Sequence, residues 1–442
     1  MNNKRVNRTS KRGTVFLLKL TLFGLVALLQ GCVNTTTATD YDATSWTEAI
    51  VSYQLVIEGF DWGPAVTAII LDLGEMVIDS TQLNADDFVV TVETEVKKEE
   101  RLVIAVASSD ETGNVIANQS AYLRIELAVA PTVGSPFAQV VDGELFGHRW
   151  ADLRHTINYQ NIIISADQKS KIMPAIASFN LNSAFVATDG MMLQYAYYQP
   201  VADGLQPLII WLHGLAEGSL NQTVAPEIAL LGNRVTSLIA PVVQDIFGGA
   251  YVLVPQAGTR WLNSGDGTHS GGRSQYESAL IELIQMFVAS KPTIDPARVY
   301  VIGGSNGGFM ALRILINRPD LFAAAIPICL YFNPDYLSDA DLFTIKNIPI
   351  WLVHDINDPI TPFYHSQSLY QRLKEMGATD VHFSATDGIF DSSGEFFNQF
   401  GNPYRYFDHW SWIPVLNNEL TTAINGEEIT IFAWLAQQRR SR

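Results

Sequence analysis

Gly303-Gly304-Ser305-Asn306-Gly307-Gly308 is the segment whose residue types and spacing point most directly to chemistry. A serine with glycine two positions before and two positions after it suits a sharp strand-to-helix turn. The stretch from Arg298 to Ile302 reads as the strand, and Phe309 to Asn317 as the helix. Bulky side chains at positions 303 and 307 would collide with both elements, so small neighbours let the hydroxyl stand clear. A phosphate-binding loop is excluded, because no Gly-Lys-Ser/Thr follows. A serine hydroxyl is a weak nucleophile at neutral pH. It needs a base within hydrogen-bond reach and a third group that orients the base.

With a nucleophile on such a turn, the chain order is serine, then acid, then histidine. Of eight histidines, His365, His382 and His409 follow the strand that ends at His354. His365 falls on a helix and His382 inside a strand pattern, so both read as structural. His409, in Phe407-Asp408-His409-Trp410-Ser411-Trp412, lies beyond the last strand, where the base belongs. Asp355 and Asp358 both follow the strand that should carry the acid, and position alone does not separate them. The loop His213-Gly214-Leu215-Ala216-Glu217-Gly218 follows the first strong strand of this region. The Leu215 N–H, with that of Ala216 second, is expected to face a developing oxyanion, together with the N–H of Asn306. His213 precedes the serine and is read as a brace for that loop. Trp261 and Trp410 are expected to line the substrate site, with Glu217 and Arg260 as neighbours that brace it.

These residues need a frame. The runs 207–213, 250–255, 298–303, 323–328, 348–354 and 381–386 are nearly continuous apolar stretches, as in strands covered by helices on both faces. Between them, Ser274 to Ser290 places Tyr276, Ala279, Leu280, Leu283, Ile284, Phe287 and Val288 on one helical face. Ser274 and Glu277 read as a capping box at its start. A second helix is expected from Phe363 to Met376, stopped by Gly377. The alternation predicts a mostly parallel sheet flanked by helices over residues 179–442, and the serine turn after one of its strands resembles that of the α/β-hydrolase fold. Residues 45–178 read instead as a β-rich domain, with strands at 51–58, 65–73, 88–96, 102–108 and 121–129. A small sandwich, immunoglobulin-like in outline, is expected there, with 142–178 closing it and leading onward.

The first 31 residues hold six basic side chains and no acid, then an apolar run ending in Leu29-Gln30-Gly31-Cys32. This resembles a bacterial lipoprotein signal, with Cys32 acylated after cleavage and residues 32–44 serving as a tether. The run is short for a span and is broken by Lys19. Export to the cell envelope and a lipid anchor on Cys32 follow as expectations. Loss of 1–31 leaves 22 basic against 45 acidic residues, a net charge of −23. Such a surface repels phosphate backbones, so nucleic acid is not expected as a partner. The remaining cysteine, Cys329, is expected to be an inert core thiol, and no metal or cofactor is expected.

Together, the segments 205–218, 246–256, 295–308, 348–362 and 409–418 resemble the prolyl oligopeptidase family, in particular its bacterial esterase-like members. The family's His-Gly-x-x-Asp-x-x-Val-Pro-like segment maps onto His354 to Pro362. The resemblance therefore implies Asp358 as the acid, although Asp355 stands where the pattern has glycine. It also implies His409 as the base of a Ser305–Asp358–His409 triad. The chain lacks the length and repeats for a β-propeller ahead of the catalytic domain. The expectation is an esterase acting through an acyl-enzyme. A peptidase with the same mechanism and an inactive surface-binding lipoprotein are the alternatives.

Overall fold

Val, Ile and Leu alternate with polar residues through the first part of the chain, and this pattern builds strands that bury one face. The computed structural model describes residues 50, 52–142, 145–164, 166–218, 225–265 and 272–440. Residues 1–31, read above as a signal, Cys32 and the expected tether lie outside the described residues. Strands β1 (Ser52–Phe60), β2 (Gly63–Asp72), β3 (Phe88–Glu93), β4 (Lys98–Arg101), β5 (Val103–Ser109) and β6 (Tyr122–Leu127) come first. They are followed by β7 (Phe137–Asp142), β8 (Leu145–Trp150), β9 (Arg154–Tyr159), β10 (Ile162–Ile164) and β11 (Asp167–Ile172). One sheet has the order β11-β1-β2-β6-β5, and the other β10-β9-β3-β4. Tyr53 of β1 meets His155 of β9 edge-on, with ring centroids 5.8 Å apart. Leu55, Ile57, Ile69, Leu71, Val90 and Ile157 are buried, each contributing roughly 1.5–3 kcal/mol.

The expected sandwich is present, and the stretch 142–178 is richer than its sequence implied. It supplies β9 and β10 to one sheet and β11, parallel to β1, to the edge of the other. β7 and β8 form a hairpin of their own, outside both sheets. β4 escaped the sequence reading because Lys98-Glu99-Glu100-Arg101 is all charge. It is an edge strand, where charge is tolerated.

The region from residue 180 onward is built on an eight-stranded sheet. Its strands are β12 (Asn180–Val186), β13 (Met192–Tyr198), β14 (Gln206–Leu212), β15 (Tyr251–Gln256), β16 (Ile294–Gly304), β17 (Ala324–Ile328), β18 (Ile350–Asp355) and β19 (Val381–Thr386). The order is β12-β13-β15-β14-β16-β17-β18-β19, and the six strands from β14 to β19 run parallel. Those six coincide with the predicted apolar runs. β12 and β13 pair antiparallel at the edge. β12 alternates exposed and half-buried residues along its length, so it lacks the continuous apolar signal.

Helices α1 (Pro226–Leu231), α2 (Pro241–Phe247), α3 (Glu277–Ser290), α4 (Asn306–Asn317), α5 (Asp339–Ile345), α6 (Tyr364–Glu375), α7 (Trp412–Leu416) and α8 (Ile431–Gln437) complete this region. None of the helices described is long and apolar enough to cross a membrane. α3 begins three residues later than expected. Glu277 does reach back to the Ser274 N–H at 2.9 Å, but the Ser274 hydroxyl accepts from the Tyr276 N–H, so only half of the box forms. Glu277 is also held by Arg313 at 3.0 Å, which favours its place at the first turn of the helix. α6 ends as predicted, with Gly377 left-handed at φ +84°.

Candidate active site

The chain leaves β16 through Gly303-Gly304, turns at Ser305 and enters α4 at Asn306. Ser305 sits at φ +55°, ψ −113°, a strained backbone position for a side-chain-bearing residue. Close approach demands the glycines around it. A Cβ on Gly303 would lie 2.3 Å from the Gly307 carbonyl oxygen, and one on Gly307 only 1.9 Å from that of Leu212. The Ser305 N–H donates to Ile328 O of β17 at 2.9 Å, which tethers the turn to the sheet.

Three residues remote in sequence converge here. His409 Nε2 lies 3.0 Å from Ser305 Oγ, and His409 Nδ1 lies 2.8 Å from Asp358 Oδ2. An ionised carboxylate only accepts, so the proton sits on Nδ1, and Nε2 is free to accept from the serine hydroxyl. Asp358 Oδ1 accepts the N–H groups of Ile360 (2.8 Å) and Thr361 (2.9 Å), which fixes its rotamer. Its Oδ2 has a second partner, His354 Nε2 at 3.2 Å. Burial alone would push this carboxyl up. The hydrogen bonds from His354 and His409 outweigh burial and hold it well below the usual carboxylate range. His354 is fully buried, with Nδ1 2.8 Å from Ser366 Oγ and Nε2 3.1 Å from Thr361 O. The sequence reading assigned His354 no role. Its signal was the spacing of four residues to Asp358.

Asp355 is directed elsewhere. Its Oδ2 accepts from Thr386 Oγ1 (2.8 Å) and Gly388 N–H (2.7 Å), and its Oδ1 from the Asn357 N–H (2.8 Å). It joins the ends of β18 and β19, whereas Asp358, three residues on, reaches the imidazole. His365 is buried, with Nδ1 3.3 Å from Leu330 O, and His382 lies 2.9 Å from Asp380. Both serve packing. Trp412 packs edge-on against His409 at 5.8 Å, and a Cβ on Gly304 would touch it at 3.2 Å, so it wedges between base and turn.

Asn306, first residue of α4, carries a backbone N–H beside the serine, and its Oδ1 accepts from the N–H groups of Trp261 (2.7 Å) and Leu262 (3.3 Å). That grip draws Trp261 inward. Trp261 is fully buried, tilted against His213 with centroids 4.9 Å apart and edge-on to Tyr276. The expectation that it lines the substrate site is therefore corrected, because its ring supports the loop from the core side. Trp410 keeps partial exposure in a row with Tyr406, Phe407 and Trp412 beside the base. His213 braces its loop as read. Nε2 accepts from the Ala257 N–H at 3.0 Å, Nδ1 lies 2.6 Å from Gly214 O, and burial holds the ring down at about 4. Leu215, half-buried, follows in the same loop.

Cys329 is buried as expected, but not in a remote core. It follows β17 directly, at φ +38°, and its sulfur lies within 4.8 Å of ligand atoms of Asp358 and His409. Burial and the Asp358 charge push its thiol far up, so it stays protonated. The carboxylate and imidazole of that cluster are already joined to each other.

Known proteins share both parts of this frame. Residues 52–170 match the model of the esterase Ig-like N-terminal domain, and residues 255–345 that of the prolyl oligopeptidase family. A stretch of 122 residues is 36% identical to poly(3-hydroxyalkanoate) depolymerase C of Paucimonas lemoignei, covering 28% of this chain and 27% of that one. The chain thus spans about a quarter of the length of the curated relative it matches. The crystal structure of a thermostable esterase superposes with a TM-score of 0.68 at 23% identity, over 88% of this chain and all of that one. The fold is that of an α/β-hydrolase preceded by an immunoglobulin-like domain, and the prolyl oligopeptidase resemblance read from the sequence recurs over residues 255–345.

Proposed function

We propose that the protein is an exported, lipid-anchored serine hydrolase that cleaves carboxylic esters through an acyl-enzyme on Ser305. One observation carries this reading: the unbroken chain Ser305 Oγ, His409 Nε2, His409 Nδ1, Asp358 Oδ2, at 3.0 and 2.8 Å. His409 takes the hydroxyl proton as Oγ bonds to the ester carbonyl carbon. The carbonyl oxygen becomes an oxyanion, met by the N–H groups of Leu215 and Asn306. On collapse the carbon–oxygen bond to the alcohol breaks, and His409 returns its proton to the leaving oxygen. Water, deprotonated by the same imidazole, then releases the acid and regenerates Ser305. Asp358 remains ionised throughout and stabilises the imidazolium.

Esters are favoured over peptides because a small sandwich, matching an esterase domain, stands where oligopeptidases carry a gating propeller. The depolymerase likeness adds hydroxyalkanoate oligomers to the esters worth assaying. The test is pre-steady-state turnover of an activated aryl ester by the fragment starting after Cys32. A burst of alcohol is expected, and Ser305→Ala should abolish it; a variant with wild-type turnover sinks the assignment. A higher kcat/KM on peptides would favour the peptidase, and no labelling by a fluorophosphonate would favour a binding protein. Lipid attachment rests on Leu29-Gln30-Gly31-Cys32. Labelled palmitate should enter the full chain and not its Cys32→Ser variant.

A further inference from the structure

Glu217 is a buried acid that the triad chemistry leaves unused. Its side chain is 6% exposed, two residues beyond Leu215 in the oxyanion loop. The carboxyl accepts from its own backbone, from the Asn233 side chain and from the Gly214 N–H. Two glycines make room for it. A Cβ on Gly214 would sit 2.8 Å from its Oε2, and one on Gly232 2.7 Å from its Cγ. Its carbonyl is held in turn by Gln256 Nε2 at 3.0 Å. The hairpin of β7 and β8 reaches the same loop. The His148 N–H donates to Ala216 O at 2.7 Å. Its Nδ1, buried and without a hydrogen bond of its own, stands 3.7 Å from Glu217 Oε1. The peptide groups of Leu215 and Ala216 lie between these two anchors.

We propose that Glu217 and His148 are positioning residues for the oxyanion hole. The carboxyl fixes Gly214 on one side of the donor peptides, and the hairpin fixes Ala216 on the other. The aim of the Leu215 N–H is thereby set by contacts from both parts of the chain. This inference rests on the hydrolase reading given above. A donor matters only when it points at the oxyanion, so its misplacement lowers transition-state stabilisation and spares ground-state binding. Burial pushes the Glu217 carboxyl up to about 7, which lessens the negative charge it places near a developing oxyanion.

The experiment measures kcat and KM for an activated aryl ester with the full chain. Active sites are counted by fluorophosphonate titration, and an aryl boronic acid serves as transition-state mimic. Glu217→Ala should lower kcat per titrated site by about 30–100-fold, with KM within about twofold and boronate affinity lowered in parallel. Glu217→Gln, which keeps an acceptor for the Gly214 N–H, should recover most of that loss. His148→Pro, which removes the N–H held by Ala216 O, should lose about 3–10-fold in kcat, and its combination with Glu217→Ala no more than Glu217→Ala alone, because the two act on one loop. Unchanged kcat in both single variants overturns the proposal, as does a raised KM with intact boronate affinity. If Glu217→Ala does not fold, His148→Pro, on a partly exposed hairpin, decides by the same division between kcat and KM. A wild-type chain that fluorophosphonate does not titrate overturns the hydrolase reading and this inference with it.

Discussion

Asp358 and Asp355 show how three positions along a loop separate catalysis from scaffolding. Asp358→Asn would place an amide N–H against His409 Nδ1, favour the wrong tautomer and lower kcat about 10⁴-fold. Asp355→Asn should leave kcat per active site within a few-fold. It should instead lower the unfolding free energy by about 1–3 kcal/mol, measured in denaturant, since Asp355 accepts from Thr386, Asn357 and Gly388. His354 belongs with Asp358. His354→Ala removes one of the two imidazoles on that carboxylate, and kcat should fall about tenfold with KM little changed. The pair Asp355/Asp358 was readable from residue types only as two alternatives. The family resemblance implied Asp358, and the geometry places Asp358, not Asp355, on the imidazole.

The turn between β16 and α4 is packed against backbone on both sides. Gly307→Ala would drive a Cβ to 1.9 Å from Leu212 O and 2.7 Å from His213 O, both backbone atoms that cannot step aside. Loss of soluble, folded protein is expected, read by circular dichroism and by recovery on expression. The turn was legible in advance because glycine spacing reports a local steric need. The hairpin of β7 and β8 was not legible. Its partners are Ala216 and Glu217, about seventy residues away, and nothing in the pattern of residues 137–150 names them. Trp261 was misread for a related reason. An aromatic in a glycine-rich loop looks exposed until the Asn306 side chain is seen to hold its backbone.

At the scale of the molecule, Asp61 in the turn between β1 and β2 joins the sandwich to the catalytic region. It pairs with Arg234 and accepts from Asn417 Nδ2 at 3.2 Å. Phe60 and Trp62 on either side of it pack against Phe396, with Trp62 edge-on at 4.5 Å. The whole chain also carries a pH signature. Burial holds His148, His155 and His213 at about 4 in the folded state, against an ordinary 6.5. The unfolded chain therefore binds more protons in that interval. Their contribution to stability is present above pH 6.5 and is lost as the pH falls toward 4. Glu217 has the opposite sign, because its value is raised from 4.5 to about 7. Its contribution is present below 4.5 and is lost as the pH rises through 7. Three imidazoles outweigh one carboxyl, so the thermal midpoint should drop between pH 6.5 and 4.5; a midpoint that rises over this range would contradict the burial of these rings.

Local rules were enough for the nucleophile turn and the six parallel strands. Each depends on neighbours in the chain: glycine where a Cβ would clash, unbroken apolar runs where helices cover both faces. Tertiary structure decided what depends on distant partners. It put His409 Nε2 on Ser305 Oγ across 104 positions, gave Asp358 a second imidazole and drew Trp261 into the core. It also brought a hairpin of the N-terminal half against the oxyanion loop. A hydrogen bond acts over about 3 Å of space whatever the length of chain between its ends, so such pairings exist only once the sheets have packed.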